Sequence, residues 1–201
     1  MGALLLAAPA LWGASYYTQR LDDAKAVYLT HDNFPVHGDG IADDSDAIQR
    51  AIDKVQETTG QGIVFVPSGK YRLTRTVFVW PGVRVIGYGA TRPVLLLKDR
   101  TPGFQQDIAY MVFFAGGRPG YVPDWMGRPA GKAAQGNAGP RRNAGRPMPG
   151  TVPAGIPVID ANPGTFYSAM SNIDFEIGDG NPAAVGIRFH VAQHCYLAHM
   201  D

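Results

Sequence analysis

The 201 residues predict an all-β fold in which short strands wind one after another into a solenoid, entered through a single α-helix. Three observations carry that reading. Short apolar runs closed by Gly or Pro follow one another without helical spacing between them. Only one stretch, Ser45 to Val55, has a clean helical stripe. An approximate repeat in the twenties appears near the C-terminus: aligning Asn172-Ile173-Asp174 with His199-Met200-Asp201 gives an offset of 27 residues, the length of one coil of a β-solenoid.

The elements follow in order. Ala47, Ile48, Ala51, Ile52 and Val55 form one apolar stripe, with Gln49, Arg50, Asp53 and Lys54 on the opposite face. Asp43, Asp44, Ser45 and Asp46 stand before and within the first turn, where side-chain oxygens accept free N–H groups and negative charge suits the helix dipole. The spacing predicts that Asp43 and Asp44 cap the helix, with Gly38-Asp39-Gly40 as the tight turn feeding it. A calcium loop needs oxygens at alternating positions around a glycine and a distal Glu, and that spacing is absent. Strands are predicted at Gly62–Pro67, around Tyr71 and Leu73, at Thr76–Val79 (with Trp80 packing before Pro81-Gly82), at Val83–Ile86 and at Val94–Leu97. Met170 to Gly180 alternates, with Ile173, Phe175 and Ile177 on one face and Asn172, Asp174 and Glu176 on the other. Val185–Phe189 repeats the alternation, and Cys195 to Asp201 begins it again.

GDGIADDSDAIQRAI, followed by QGIVFVPSGKYRL, TVFVWPGVRVIGYG and PVLLL, resembles the entry segment of the pectate lyase superfamily. That group includes rhamnogalacturonase-like and epimerase-like domains and glycoside hydrolase families 28 and 55. The resemblance runs from Gly38 to about Gly89, and residues 165–201 fit later coils. It implies a single-stranded right-handed parallel β-helix whose amphipathic helix covers the open end of the first coil. It also implies a protein acting on polysaccharide, by glycoside hydrolysis or by lyase-type elimination, with calcium involved only in the lyase case. The competing class is a non-catalytic β-helix module, a carbohydrate-binding or stalk domain of an adhesin or phage-like spike. On this reading the chain is the first part of a longer helix, with most catalytic residues beyond Asp201.

Composition sets limits. Formal net charge is +1, which gives no general attraction to nucleic acid, and a single cysteine, Cys195, excludes an internal disulfide framework. The apolar start MGALLLAAPALWGAS is too short to span a bilayer. Residues 1–15 resemble the end of a secretory signal, which implies an extracellular or periplasmic protein. Between Gly116 and Pro157 the composition shifts to ten Gly and eight Pro. Six basic residues there (Arg118, Arg128, Lys132, Arg141, Arg142, Arg146) stand against Asp124 alone. This stretch is predicted to be a flexible insertion between coils, or else a basic arm for an anionic polymer.

The candidate chemistry is sparse. Asp174 and Glu176 share one strand face about 6.5–7 Å apart, and the 27-residue offset sets Asp201 beside Asp174 on the next coil. Two carboxyls about 5 Å apart suit retaining glycoside hydrolysis, and about 6.5–9.5 Å inverting hydrolysis. The same acids are also what any half-exposed strand carries. Trp125, in the Gly/Pro segment, is the candidate for stacking on a sugar. His190, His194 and His199 sit among strands, and the helical i, i+4 spacing of a zinc pair does not apply there, so they are predicted to be turn or groove residues. No cofactor is evident.

Overall fold

The computed structural model describes residues 14–119, 121 and 158–201. Residues 1–13, Trp125 and most of the Gly/Pro segment lie outside them. Among the described residues twelve strands form three parallel sheets, each ordered across the coils rather than along the chain. The first sheet is β1 (Val27–Tyr28), β3 (Gly62–Pro67), β6 (Val83–Tyr88), β9 (Ala169–Ser171) and β12 (Tyr196–Ala198). The second is β2 (Asp39–Asp43), β4 (Lys70–Arg72), β7 (Val94–Leu97) and β10 (Asp174–Ile177). The third is β5 (Val77–Val79), β8 (Ala109–Phe114) and β11 (Ala184–Arg188). The chain visits first, second and third sheet in turn and then begins again one coil higher, which is the single-stranded right-handed parallel β-helix.

Stacking puts like residues over like. Val64, Val85 and Met170 align on the inner side of the first sheet. Tyr71, Leu95 and Phe175 align on the inner side of the second. The last coil sits on the one below through Tyr196 opposite Ala169 and Ala198 opposite Ser171, the 27-residue offset read from the sequence. The stretch from Met170 is not one strand, however. Asn172 has φ of +57° and turns the chain from the first sheet into the second, and His199 (φ +54°) does the same one coil on. Asn172 is therefore not an outward residue. It is fully buried, donating to the Gly87 carbonyl at 2.8 Å and to Ser15 Oγ at 3.0 Å.

Helix α1 (Ser45–Thr59) buries the predicted stripe, Ala47, Ile48, Ala51, Ile52 and Val55. It ends at Gly60 (φ +73°), whose N–H reaches the Gln56 carbonyl in the left-handed cap glycine allows. In chain order α1 follows β2 and precedes β3, so it stands where the first coil's third-sheet strand would be. Gln49 fills the missing partner's role: its Oε1 accepts the Phe78 N–H at 2.8 Å and its Nε2 donates to the Phe78 carbonyl at 3.1 Å. Asp53 accepts from Trp80 Nε1 at 2.6 Å. Gln49 and Asp53, expected to face solvent, thus close the edge of β5. Trp80 is buried against Phe78, as its position suggested.

The acidic burst divides its labour differently from expectation. Asp43 Oδ1 accepts the Ser45 N–H and hydroxyl, and Oδ2 accepts the Thr74 hydroxyl. Burial raises the Asp43 carboxyl, but the hydrogen bonds from Ser45 and Thr74 outweigh it and leave its pKa lowered. Asp44 occupies the N-cap position without a side-chain cap bond. Its wholly buried carboxylate turns back to accept the N–H groups of His37 (2.7 Å) and Gly38 (2.9 Å), and so holds the turn preceding β2. Gly38 (φ +66°) and Gly40 (φ +71°) supply left-handed backbone there.

The N-terminal segment runs across the outer side of the first sheet. Tyr28 Oη donates to the Leu21 carbonyl, Gly89 N–H to the Tyr17 carbonyl, and Tyr16 N–H to Asn172 Oδ1. The base of the Gly/Pro excursion is also pinned. Ala115 bridges Asp160, Gly116 N–H donates to the Ile159 carbonyl at 2.8 Å, and Arg118 pairs with Asp53 and Glu57 of α1. No helix among the described residues is long and apolar enough to cross a membrane.

Two outcomes are expected. Asp44→Ala, which takes the acceptor from two part-buried N–H groups, lowers unfolding free energy by about 1–3 kcal/mol, and Asp43→Ala by about 1 kcal/mol, both by denaturant titration. Because the Asp43 pKa is lowered on folding, its share is present above the ordinary carboxylate range near about 3.9 and is lost as pH falls through the lowered value. Replacing residues 122–157 by a short Gly/Ser linker leaves the melting transition cooperative and costs within about 1 kcal/mol, since the two ends already lie side by side.

Candidate functional site

Strand alternation sorts the second sheet. Lys70, Val94 and Asp174 align on its outer side, and so do Arg72, Leu96 and Glu176. Asp174, Glu176 and Asp201 come together as their spacing required, and Asp201 donates its N–H to Asp174 Oδ1 at 3.1 Å. All three are paired with cations. Arg92 Nη1 lies 2.8 Å from Asp174 Oδ1 and 2.9 Å from Asp201 Oδ2, and the hydrogen bond to Asp174 helps push the Arg92 pKa up. Lys70 Nζ is 3.2 Å from both Glu176 oxygens. Each of the three carboxylates is thus an ion-pair partner of Arg92 or Lys70 and balances the two cations on the stack.

The histidines separate into two kinds. His194 and His199 are left-handed turn residues whose rings lie on Tyr167 (5.3 Å, 13°) and Tyr16 (4.0 Å, 11°). His190 differs. It follows β11 two residues after Arg188, and both approach Asp160 on the segment returning from the Gly/Pro excursion. Asp160 Oδ2 accepts from Arg188 Nη2 at 2.7 Å and Nε at 3.2 Å, and His190 Nδ1 stands 3.6 Å away. The hydrogen bond that Arg188 donates to Asp160 raises the Arg188 pKa. The other oxygen, Asp160 Oδ1, is buried without a hydrogen-bond partner, an arrangement that costs free energy in an ordinary structural acid.

Sequence reading missed this group. Its signal is faint: Asp160 follows the Gly/Pro segment immediately, and Arg188 and His190 occupy alternate positions of one strand run. Calcium, which the family resemblance ties to a lyase, takes six to eight oxygen ligands. Among the described residues no group of three or more His, Cys, Asp or Glu side chains is placed to hold a metal, so the donors present do not fit it.

Residues 32–112 match the family model described as rhamnogalacturonase A/epimerase, pectate lyase-like. Among curated proteins, the chain is 36% identical over 74 residues to Alginate lyase 7 of Azotobacter vinelandii, covering 33% of this chain and 8% of that protein. It is 34% identical over 87 residues to Mannuronan C5-epimerase AlgE2 of the same organism, covering 40% of this chain and 8% of that protein. The matched part is thus a small fraction of these relatives' length. An iota-carrageenase solved with iota-carrageenan fragments aligns with 96% of this chain and 32% of its own, at 11% identity and a TM-score of 0.45.

Within the matched segment and the coils above it, the two cation sites should respond differently to mutation. Arg92→Met, which leaves the Asp174 carboxylate buried without its partner, costs about 3 kcal/mol or more. Lys70→Met, at a half-exposed pair, costs under about 1 kcal/mol. Chemical denaturation of both variants at neutral pH separates the two values.

Proposed function

We propose that this chain is part of a polysaccharide-active β-helix protein acting on a uronate polymer by removal of the proton alpha to the carboxylate, with Arg188, His190 and Asp160 as the working group. The observation that carries the reading is Asp160, set between an arginine and a histidine on two alternate positions of one strand run. Arg188 spends Nε and Nη2 on Asp160. Its remaining N–H groups are available to a substrate carboxylate, where they stabilise the charge that builds as the proton leaves. His190 Nδ1 stands 3.6 Å from Asp160 Oδ2, and in this reading the pair closes to a hydrogen bond when substrate docks, leaving Nε2 to accept that proton.

From the carbanion-like state two outcomes balance. Return of a proton to the opposite face inverts the carbon, and departure of the glycosidic oxygen beta to it, taking up a proton, cleaves the chain and leaves a double bond. The names of the relatives, an alginate lyase and mannuronan C5-epimerases, correspond to these two fates of one first step. Hydrolysis receives less support, because the names of the relatives are those of a lyase and of epimerases. A polymeric substrate of this kind implies an extracellular or periplasmic place of work.

The test is to incubate the gene's full product with alginate, polygalacturonate and a neutral glucan. Ultraviolet absorbance reports unsaturated ends, and proton NMR reports inversion. Activity on a uronate polymer alone is expected, with His190→Gln slowing it about 100-fold or more and Asp160→Asn slowing it while the melting temperature holds. Full activity in His190→Gln overturns the assignment. Binding of polymer without turnover in the unsubstituted protein favours the non-catalytic module instead.

A further inference from the structure

The outer side of the first sheet at its β12 end carries rings that neither the core nor the Arg188 group uses. Tyr196 points outward, since its column partner Ala169 alternates with the inward Met170, and its residue is 42% exposed. At one end of β12 the Tyr167 ring lies on His194, and at the other the Tyr16 ring lies on His199. Tyr167 and Tyr16 are 45% and 62% exposed. The three ring stations, at residues 194, 196 and 199, thus lie on β12 and at the two corners that flank it. Tyr17 stands edge-on to Tyr16 at 4.9 Å and steadies that end.

The chemistry of the patch selects its occupant. Each of the exposed rings named has a polar tip, a phenol or an imidazole nitrogen, on an apolar body. Such surfaces suit a ligand with C–H faces and hydroxyl edges more than they suit a purely apolar one. Two strands below Tyr196 in the same outward column is Arg84, whose Nε reaches the Tyr167 carbonyl at 3.4 Å. Among the described residues no carboxylate forms an ion pair with Arg84, and the side chains that form the patch carry no acid. A cation beside a row of half-exposed rings is complementary to an anionic chain of sugars.

We propose that this face is an accessory docking site for an anionic polysaccharide, with Tyr196, Tyr167 and Tyr16 stacking on sugar rings and Arg84 pairing with a carboxylate. The proposal rests on the polysaccharide reading given above and adds a second contact surface to it. The site would hold a polymer against the coil stack, raising the local concentration of chain segments near His190 and Arg188.

The experiment is titration calorimetry with defined-length alginate oligosaccharides and, separately, with neutral glucan oligosaccharides, on the gene's full product. The variants are Tyr196→Ala, Arg84→Ala and their double, with melting temperature as the check on folding. Tyr167 is left in place because its backbone is left-handed (φ +60°). Expected results are at least tenfold weaker alginate binding in the double variant and a reduced salt dependence in Arg84→Ala. Equal binding by the double variant and the unsubstituted protein overturns the docking site while leaving the polysaccharide reading intact. Equal affinity for neutral and anionic oligosaccharides, insensitive to Arg84→Ala, overturns the anionic assignment. Absence of binding to either sugar by the unsubstituted protein removes both the docking site and the reading beneath it.

Discussion

Each coil of this chain makes its backbone hydrogen bonds to the coils above and below, so a coil without a neighbour leaves a row of unsatisfied N–H and C=O groups. Everything at the start of the molecule follows from that constraint. Helix α1 takes the place of the first coil's third strand and presents a glutamine amide, Gln49, whose donor and acceptor match the exposed edge of β5. A helix cannot extend a parallel ladder, but one amide side chain imitates one residue of it. The same helix covers the core from below with its alanine, isoleucine and valine stripe, and Gln56 Nε2 reaches the Pro81 carbonyl where β5 has already turned away.

The second constraint is the corner. A parallel coil must turn sharply between sheets, and here left-handed residues stand in register in successive coils. Gly82, Tyr167 and His194 all have positive φ and occupy one column, as do Asn172 and His199. Once side chains replace glycine at such a corner they point outward or pack into the turn. That is how two histidines come to lie on two tyrosines. The ring pairs are consequences of coil geometry before they are anything else, and any role in binding is built on positions the fold had already fixed.

Much of this was legible in the sequence because it depends on local pattern. The strands at Gly62–Pro67 and Val94–Leu97, the helix stripe and the 27-residue offset all survive intact. What failed depended on partners far along the chain. Asp44 looks like a cap by spacing, yet its carboxylate is drawn to the N–H groups of His37 and Gly38. Asn172 alternates correctly, yet positive φ takes it inside. Gln49 and Asp53 read as a polar face because nothing local reveals that an open strand edge lies against them. β8 (Ala109–Phe114) drew no prediction, being a plain apolar run next to the Gly/Pro segment. Asp160 lay beyond that segment, and only the antiparallel bridge from Ala115 brings it to Arg188.

Arg92 reaches two places that are far apart in the sequence. Its Nε donates to the Ala14 carbonyl, and its Nη1 contacts Asp201. The strap that crosses the first sheet is therefore fastened by residues from coils far later in the chain, Asn172 as well as Arg92, and it can dock only once those coils have stacked.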